Sequence, residues 1–201
     1  RLPGKPDPSY WCGIQVARLL KATAGKRAGV VAMGQIVNVG RMQLQIRGIR
    51  DAGADPTKLE AIGGTTYVGG VLSDQALAPR LAIDLAAADD VTGALDRMMA
   101  AVPAHRAMYD AFAVEAKKLG VGLYAYEGGQ FHLNARMPTQ PVTPQVEKVR
   151  QFFRKVQMDP RSADVLLAYY AAFEAAGGTM DAFYNWSSPS TLDGFFGGRG
   201  Q

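Results

Sequence analysis

Apolar positions change period repeatedly along the chain. Between Tyr10 and Ala24, Ile14, Val16, Ala17, Leu19 and Leu20 fall roughly at helical spacing, and Gly25 follows as a stop, so this segment is predicted to be a helix. Val30 to Val39 (VVAMGQIVNV) is short, apolar and β-branched, the pattern of a buried strand ending in a loop. Arg41 to Ala52 reads as a second helix, with Met42, Ile46 and Ile49 on one face and Gly53 after it. Leu59 to Val68 (LEAIGGTTYV) is the second strand, and Gly69-Gly70 closes it. Leu72 to Leu119 is Ala-rich with helical period; Asp89-Asp90 and Pro103 divide it into about three helices, and Gly120 ends the last. Gly122 to Gln130 (GLYAYEGGQ) is the third strand. The Pro-rich stretch Met137 to Pro144 reads as a loop between that strand and its helix. Asp159-Pro160 is expected to start another helix, with Asp as N-cap and Pro at the first helical position, where a missing N–H costs nothing. Val165, Leu166, Tyr169, Tyr170 and Phe173 form its apolar face, and Gly177-Gly178 ends it. Thr179 to Trp186 (TMDAFYNW) is the fourth strand, and Ser187 to Gln201 reads as loop.

Strands separated by helical segments predict an α/β fold with parallel strands and right-handed crossovers. No fixed short repeat is present, which argues against a solenoid. In parallel α/β folds, ligands bind beyond the carboxyl ends of the strands. All four predicted strands deliver polar or aromatic groups there. The first ends near Gln35 and Asn38, the second at Thr65, Thr66 and Tyr67, the third at Tyr126, Glu127 and Gln130, and the fourth at Tyr184, Asn185 and Trp186.

Composition narrows the chemistry. The chain has 201 residues, 48% hydrophobic and 20% charged, which excludes a disordered tail, a collagen-like repeat and a disulfide miniprotein. Its apolar runs fall far short of the roughly 20 residues that cross a bilayer. One cysteine, Cys12, cannot form an internal disulfide, and a buried structural thiol is the expectation for it. Two histidines leave little material for a metal site: His132 follows Glu127 by five positions, and His105 lies in a predicted helix elsewhere. The net charge of +4 is modest, and Lys148, Arg150, Arg154 and Lys155 read as the solvated face of a helix. Nucleic acid is therefore not expected as a partner. No GxGxxG, Walker or GxSxG pattern occurs, so no cofactor is expected. Arg1-Leu2-Pro3-Gly4, without an initiator Met, reads as a processed or partial product.

Glu127 stands out because it closes an apolar strand and is followed by Gly128-Gly129, which permit a sharp turn and a close approach. It is either a functional carboxylate or a loop carboxylate paired with an arginine such as Arg136. Tyr67 is either a core tyrosine with a surface hydroxyl or a phenol that orients Glu127. Trp186 either caps the core or offers its indole face to a sugar ring, beside Tyr184 and Asn185. Gln35 and Asn38 carry amides at a strand end, where such groups bind ligands or tie down loops.

The segment Gly122 to Gln130, with YEGGQ at its core, resembles the seventh strand of (β/α)8-barrel glycoside hydrolases. It is similar to that of bacterial secreted, cellulase-like barrel proteins. In order, VVAMGQ resembles the fifth strand, LEAIGGTTYVGG the sixth and TMDAFYNW the eighth. The resemblance implies that the chain is the carboxyl-terminal half of a barrel, over residues 1–186, with 187–201 as a tail. It further implies that Glu127 is the nucleophile of a retaining glycosidase, Tyr67 its orienting neighbour and Trp186 part of the floor under the sugar. Gln35, Asn38, Tyr126, Gln130 and Asn185 would contact substrate. Retention requires a second carboxyl about 5–5.5 Å away. In the family this is a glutamate after Asn at the end of strand four, and no Asn-Glu pair occurs here. The implied partners are an oligo- or polysaccharide and an amino-terminal half-barrel on the same or a separate chain. The implied location is extracellular or at the cell surface.

Two other readings compete. One is a non-catalytic glycan-binding or structural subunit, part of a cell-surface or viral assembly, built on the same barrel. The other is an open sheet with an unrelated small-molecule site. A full barrel usually takes about 250 residues, so four strands over this length read as an enlarged half.

Overall fold

Short polar caps set the starts of several helices. Asp7 accepts a hydrogen bond from the Ser9 N–H at 2.8 Å, Pro8 takes the first turn, and α1 (Pro8–Thr23) follows. Asn38 accepts from the Arg41 N–H at 3.3 Å and opens α2 (Val39–Asp51). The structure, a computed structural model, describes residues 7–73, 80–131 and 143–183. After α2, the 3-10 turn Pro56–Lys58 leads into the sheet.

The four predicted strands all form: β1 (Val31–Met33), β2 (Ala61–Val68), β3 (Gly122–Phe131) and β4 (Gly178–Phe183). They make one all-parallel sheet in the order β1-β2-β3-β4. Val31 lies opposite Ala61, Ala32 opposite Ile62, and Met33 opposite Gly63. Four helices separate β2 from β3: α3 (Gly70–Ser73), α4 (Leu81–Ala88), α5 (Val91–Ala100) and α6 (Val102–Leu119). The chain leaves α4 through Asp89, whose left-handed φ of 53° ends the helix, and Asp90 then caps α5 through the Gly93 N–H at 2.8 Å. Pro103 sits in the first turn of α6, where it breaks no hydrogen bond. Between β3 and β4 come α7 (Pro144–Met158) and α8 (Ser162–Ala175).

The described residues group into two compact units. The first takes residues 7–65, 106–126 and 173–181. In it α1 and α2 pack with little space between their backbones: a Cβ on Gly13 would overlap the Gln45 carbonyl, and one on Gly48 the Tyr10 carbonyl. Ala32, Ala61, Ile62, Met42 and Ile49 are fully buried, and Tyr109 meets Phe173 edge-on at 5.4 Å. The second unit takes residues 66–73, 80–105, 127–131, 143–172 and 182–183. Its core joins Val68 and Leu72 to Leu95, Met98, Phe153 and Tyr169. The Tyr169 O–H donates to the Met98 carbonyl at 3.2 Å, and burial pushes its phenol pKa up to about 12.

Three sequence expectations are corrected. The first strand is only three residues long, because the chain turns after Met33 and the Val30–Val39 run covers that turn as well. Asp159 is not the N-cap of α8. It ends α7, and its carboxylate accepts from the Arg161 N–H while its carbonyl accepts from the Ser162 N–H, each at 2.9 Å. The α7 helix runs up to Met158, so Asp159-Pro160-Arg161 forms the turn between two helices. Cys12 is exposed, because Gly13 and Ala17 carry the buried face of α1 and turn Cys12 outward beside Trp11.

Candidate active site

The end of β2 and the later part of β3 hold the two residues read as catalytic. Tyr67 is the last residue but one of β2 and is half-buried. Glu127 lies within β3, also half-buried, with four more strand residues after it. The strand therefore does not stop at Glu127. The adjacent order of β2 and β3 brings Tyr67 and Glu127 onto neighbouring strands. Gly128 fixes how closely the strands approach. A Cβ there would collide with the Thr66 hydroxyl, and it would stand 2.6 Å from the Thr66 nitrogen and 2.9 Å from its carbonyl carbon. No side chain larger than glycine's hydrogen fits in that space. Thr66 is one of the few buried polar residues, 2% exposed. The half-buried carboxylate thus follows the phenol-bearing strand end by one strand spacing, on backbone held tightly by its neighbour.

Tyr126 precedes Glu127 in β3 and is half-buried, and burial raises its phenol pKa above the ordinary value. Gln35 and Asn38 are exposed in the turn between β1 and α2. Arg41 Nη1 donates to Gln35 Oε1 at 3.5 Å, and the Asn38 amide oxygen caps α2. Their contacts are local to that turn. Gln130 belongs to β3, but its side chain lies outside the described residues, as do Tyr184, Asn185, Trp186, His132 and Arg136.

Several polar residues of structural weight escaped the sequence reading. Gln45 is 6% exposed and donates to the Met33 carbonyl at 2.8 Å, tying α2 to β1. The Tyr124 hydroxyl donates to Glu60 Oε1 at 3.1 Å, and that bond raises the phenol pKa. Asp181, half-buried, lies within β4. Thr66 is one of a Thr-Thr pair at a strand end, and the sequence reading did not separate the buried threonine from its neighbour. Strand alternation is the signal that separates them, since Thr66 shares a parity with the fully buried Ile62 and Val68.

Among the described residues, no group of three or more His, Cys, Asp or Glu is placed to hold a metal ion. No described helix is long and apolar enough to cross a membrane. No protein-family model matches the chain, and neither does any curated protein or solved structure with which it was compared.

Proposed function

We propose that this chain is the carboxyl-terminal half of a (β/α)8-barrel glycoside hydrolase that cleaves a β-linked glycan with retention. The observation that supports this reading best is the strand order. Among the described residues, four parallel strands follow one another in chain order with no reversal. An open doubly wound sheet places its ligand at the point where strand order reverses, and here there is no such point. A barrel places its ligand toward the carboxyl ends of successive strands, and Tyr67 and Glu127 lie on adjacent strands, with β3 continuing four residues beyond Glu127.

In this reading Glu127 attacks the anomeric carbon through a carboxylate oxygen. The glycosidic C–O bond breaks, and its electron pair passes to the leaving oxygen, which takes a proton from a second carboxylic acid. Water, deprotonated by that same second group, then displaces Glu127 and restores the starting configuration. The second carboxyl belongs to the amino-terminal half of the barrel, and Tyr67 orients Glu127. Trp186, Asn185, Tyr126 and Gln130 complete the sugar-binding rim.

The test uses the full-length protein and a panel of soluble β-glucans, xylans and mannans, with reducing ends as the readout. Glu127→Gln is expected to lower kcat by at least about a thousandfold while glycan affinity persists, since it removes the nucleophile and leaves the shape. Undiminished hydrolysis in that variant sinks the nucleophile assignment. Glycan binding without hydrolysis by the unaltered protein instead favours a non-catalytic subunit on the same barrel.

A further inference from the structure

We infer that Thr66 is the positioning residue for Glu127. The inference rests on the reading of Glu127 as the functional carboxylate, and its geometry stands apart from that reading. Thr66 is 2% exposed on β2, and Val68, two positions on along the same strand, is fully buried. A buried hydroxyl is retained at a cost unless it makes a specific contact. The Thr66 hydroxyl lies against Gly128, the residue bonded directly to Glu127, and occupies the space that any Cβ on Gly128 would need. The Thr66 backbone nitrogen, 2.6 Å from that same point, closes the space from a second side.

The Glu127–Gly128 peptide therefore packs against Thr66 with no room for a side chain at Gly128. An oxygen is smaller than a methyl group, so replacing the hydroxyl by the second methyl of valine pushes on Gly128 and moves the peptide that carries Glu127. Displacements on the order of 1 Å at a reacting group cost about a hundredfold in rate. Thr66 touches neither substrate nor the reacting atoms in this account. It acts through the backbone of the residue after the carboxylate.

The experiment is a carboxyl 13C titration of the chain labelled at glutamate. The Glu127 signal is identified by its loss in Glu127→Gln. Thr66→Val is expected to move the Glu127 midpoint by about half a pH unit or more, because the carboxylate changes its surroundings. Thr66→Ser, which keeps the hydroxyl, is expected to restore it. If Thr66→Val does not fold, Thr66→Ala serves in its place. A Glu127 titration that is the same in wild type and Thr66→Val (or Thr66→Ala) overturns the inference. So does a shift that Thr66→Ser reproduces, since that assigns the effect to lost packing. In the full-length protein the same substitution is expected to lower kcat about tenfold to a hundredfold with KM little changed. Failure of the hydrolase reading leaves the titration result standing, so the two failures are distinguishable.

Discussion

Glu115 shows what a partner does to a nearly buried charge. It lies on α6, 9% exposed, where Lys118 Nζ donates to it at 2.8 Å and the Gln43 amide at 3.0 Å. The hydrogen bond from Lys118 holds its pKa below the ordinary 4.5; burial opposes this, and the Gln43 bond adds to the lowering. A carboxylate whose folded pKa is lowered adds stability that is complete above its unfolded pKa. That stability is lost as pH falls through the folded value. Glu115→Gln is therefore expected to cost about 1 kcal/mol at pH 7, and less at a pH below the unfolded carboxylate's value, as the folded carboxylate begins to protonate. Urea unfolding at the two pH values checks it, and an equal loss at both would exclude the electrostatic account. The sequence made Glu127 legible because a carboxylate inside an apolar run is conspicuous on its own. It could not reveal Glu115, because the Gln43 bond spans 72 positions. The i,i+3 pair with Lys118 is legible locally, but the contact with Gln43 on another helix is not.

At the scale of elements, period and punctuation located every strand and most helices, and contacts between elements decided the boundaries. The Val30–Val39 run is mostly apolar, yet its strand covers only Val31–Met33; Gln35 and Asn38 fall in the turn that follows, and Ile36 packs against Gly64. Asp159-Pro160 carries a helix-start signal, but α7 already occupies the chain up to Met158 and makes that pair a turn. Nor did the apolar spacing of the first helix show that small residues, not large ones, form its contact. Gly13 and Gly48 set that contact, so Gly48→Ala is expected to destabilise the chain by about 1–3 kcal/mol despite alanine's better helix propensity. Alanine at an open helical position would gain about 1 kcal/mol instead, so the sign alone is decisive. Thermal melts of Gly48→Ala against the unaltered chain give it, and a raised Tm would mean that the two helices have room to separate.

At the scale of the whole molecule the sheet itself raises the question of what covers it. Parallel sheets are found almost only with both faces covered, and an uncovered strand edge invites pairing with another chain. In the order β1-β2-β3-β4, β1 and β4 each have a neighbour on one side only among the described residues. Met33 on β1 and Met180 on β4 are each 44% exposed, large apolar groups on the two strands with an open side. The barrel reading and the open-sheet reading differ here in a measurable way. If the proposed barrel holds, the sheet has edges and an inner face meant for another half, and this 201-residue chain is then expected to self-associate. Sedimentation velocity should then show a weight-average mass that rises toward concentrations on the order of 100 μM. Lysines placed at Met33 and Met180 should lower that rise, since charge on an edge strand opposes pairing. A monomer at every concentration, melting in one cooperative step, is the behaviour of an open sheet that needs no partner. That outcome would count against the proposed barrel and assign Glu127 and Tyr67 to a site of some other kind.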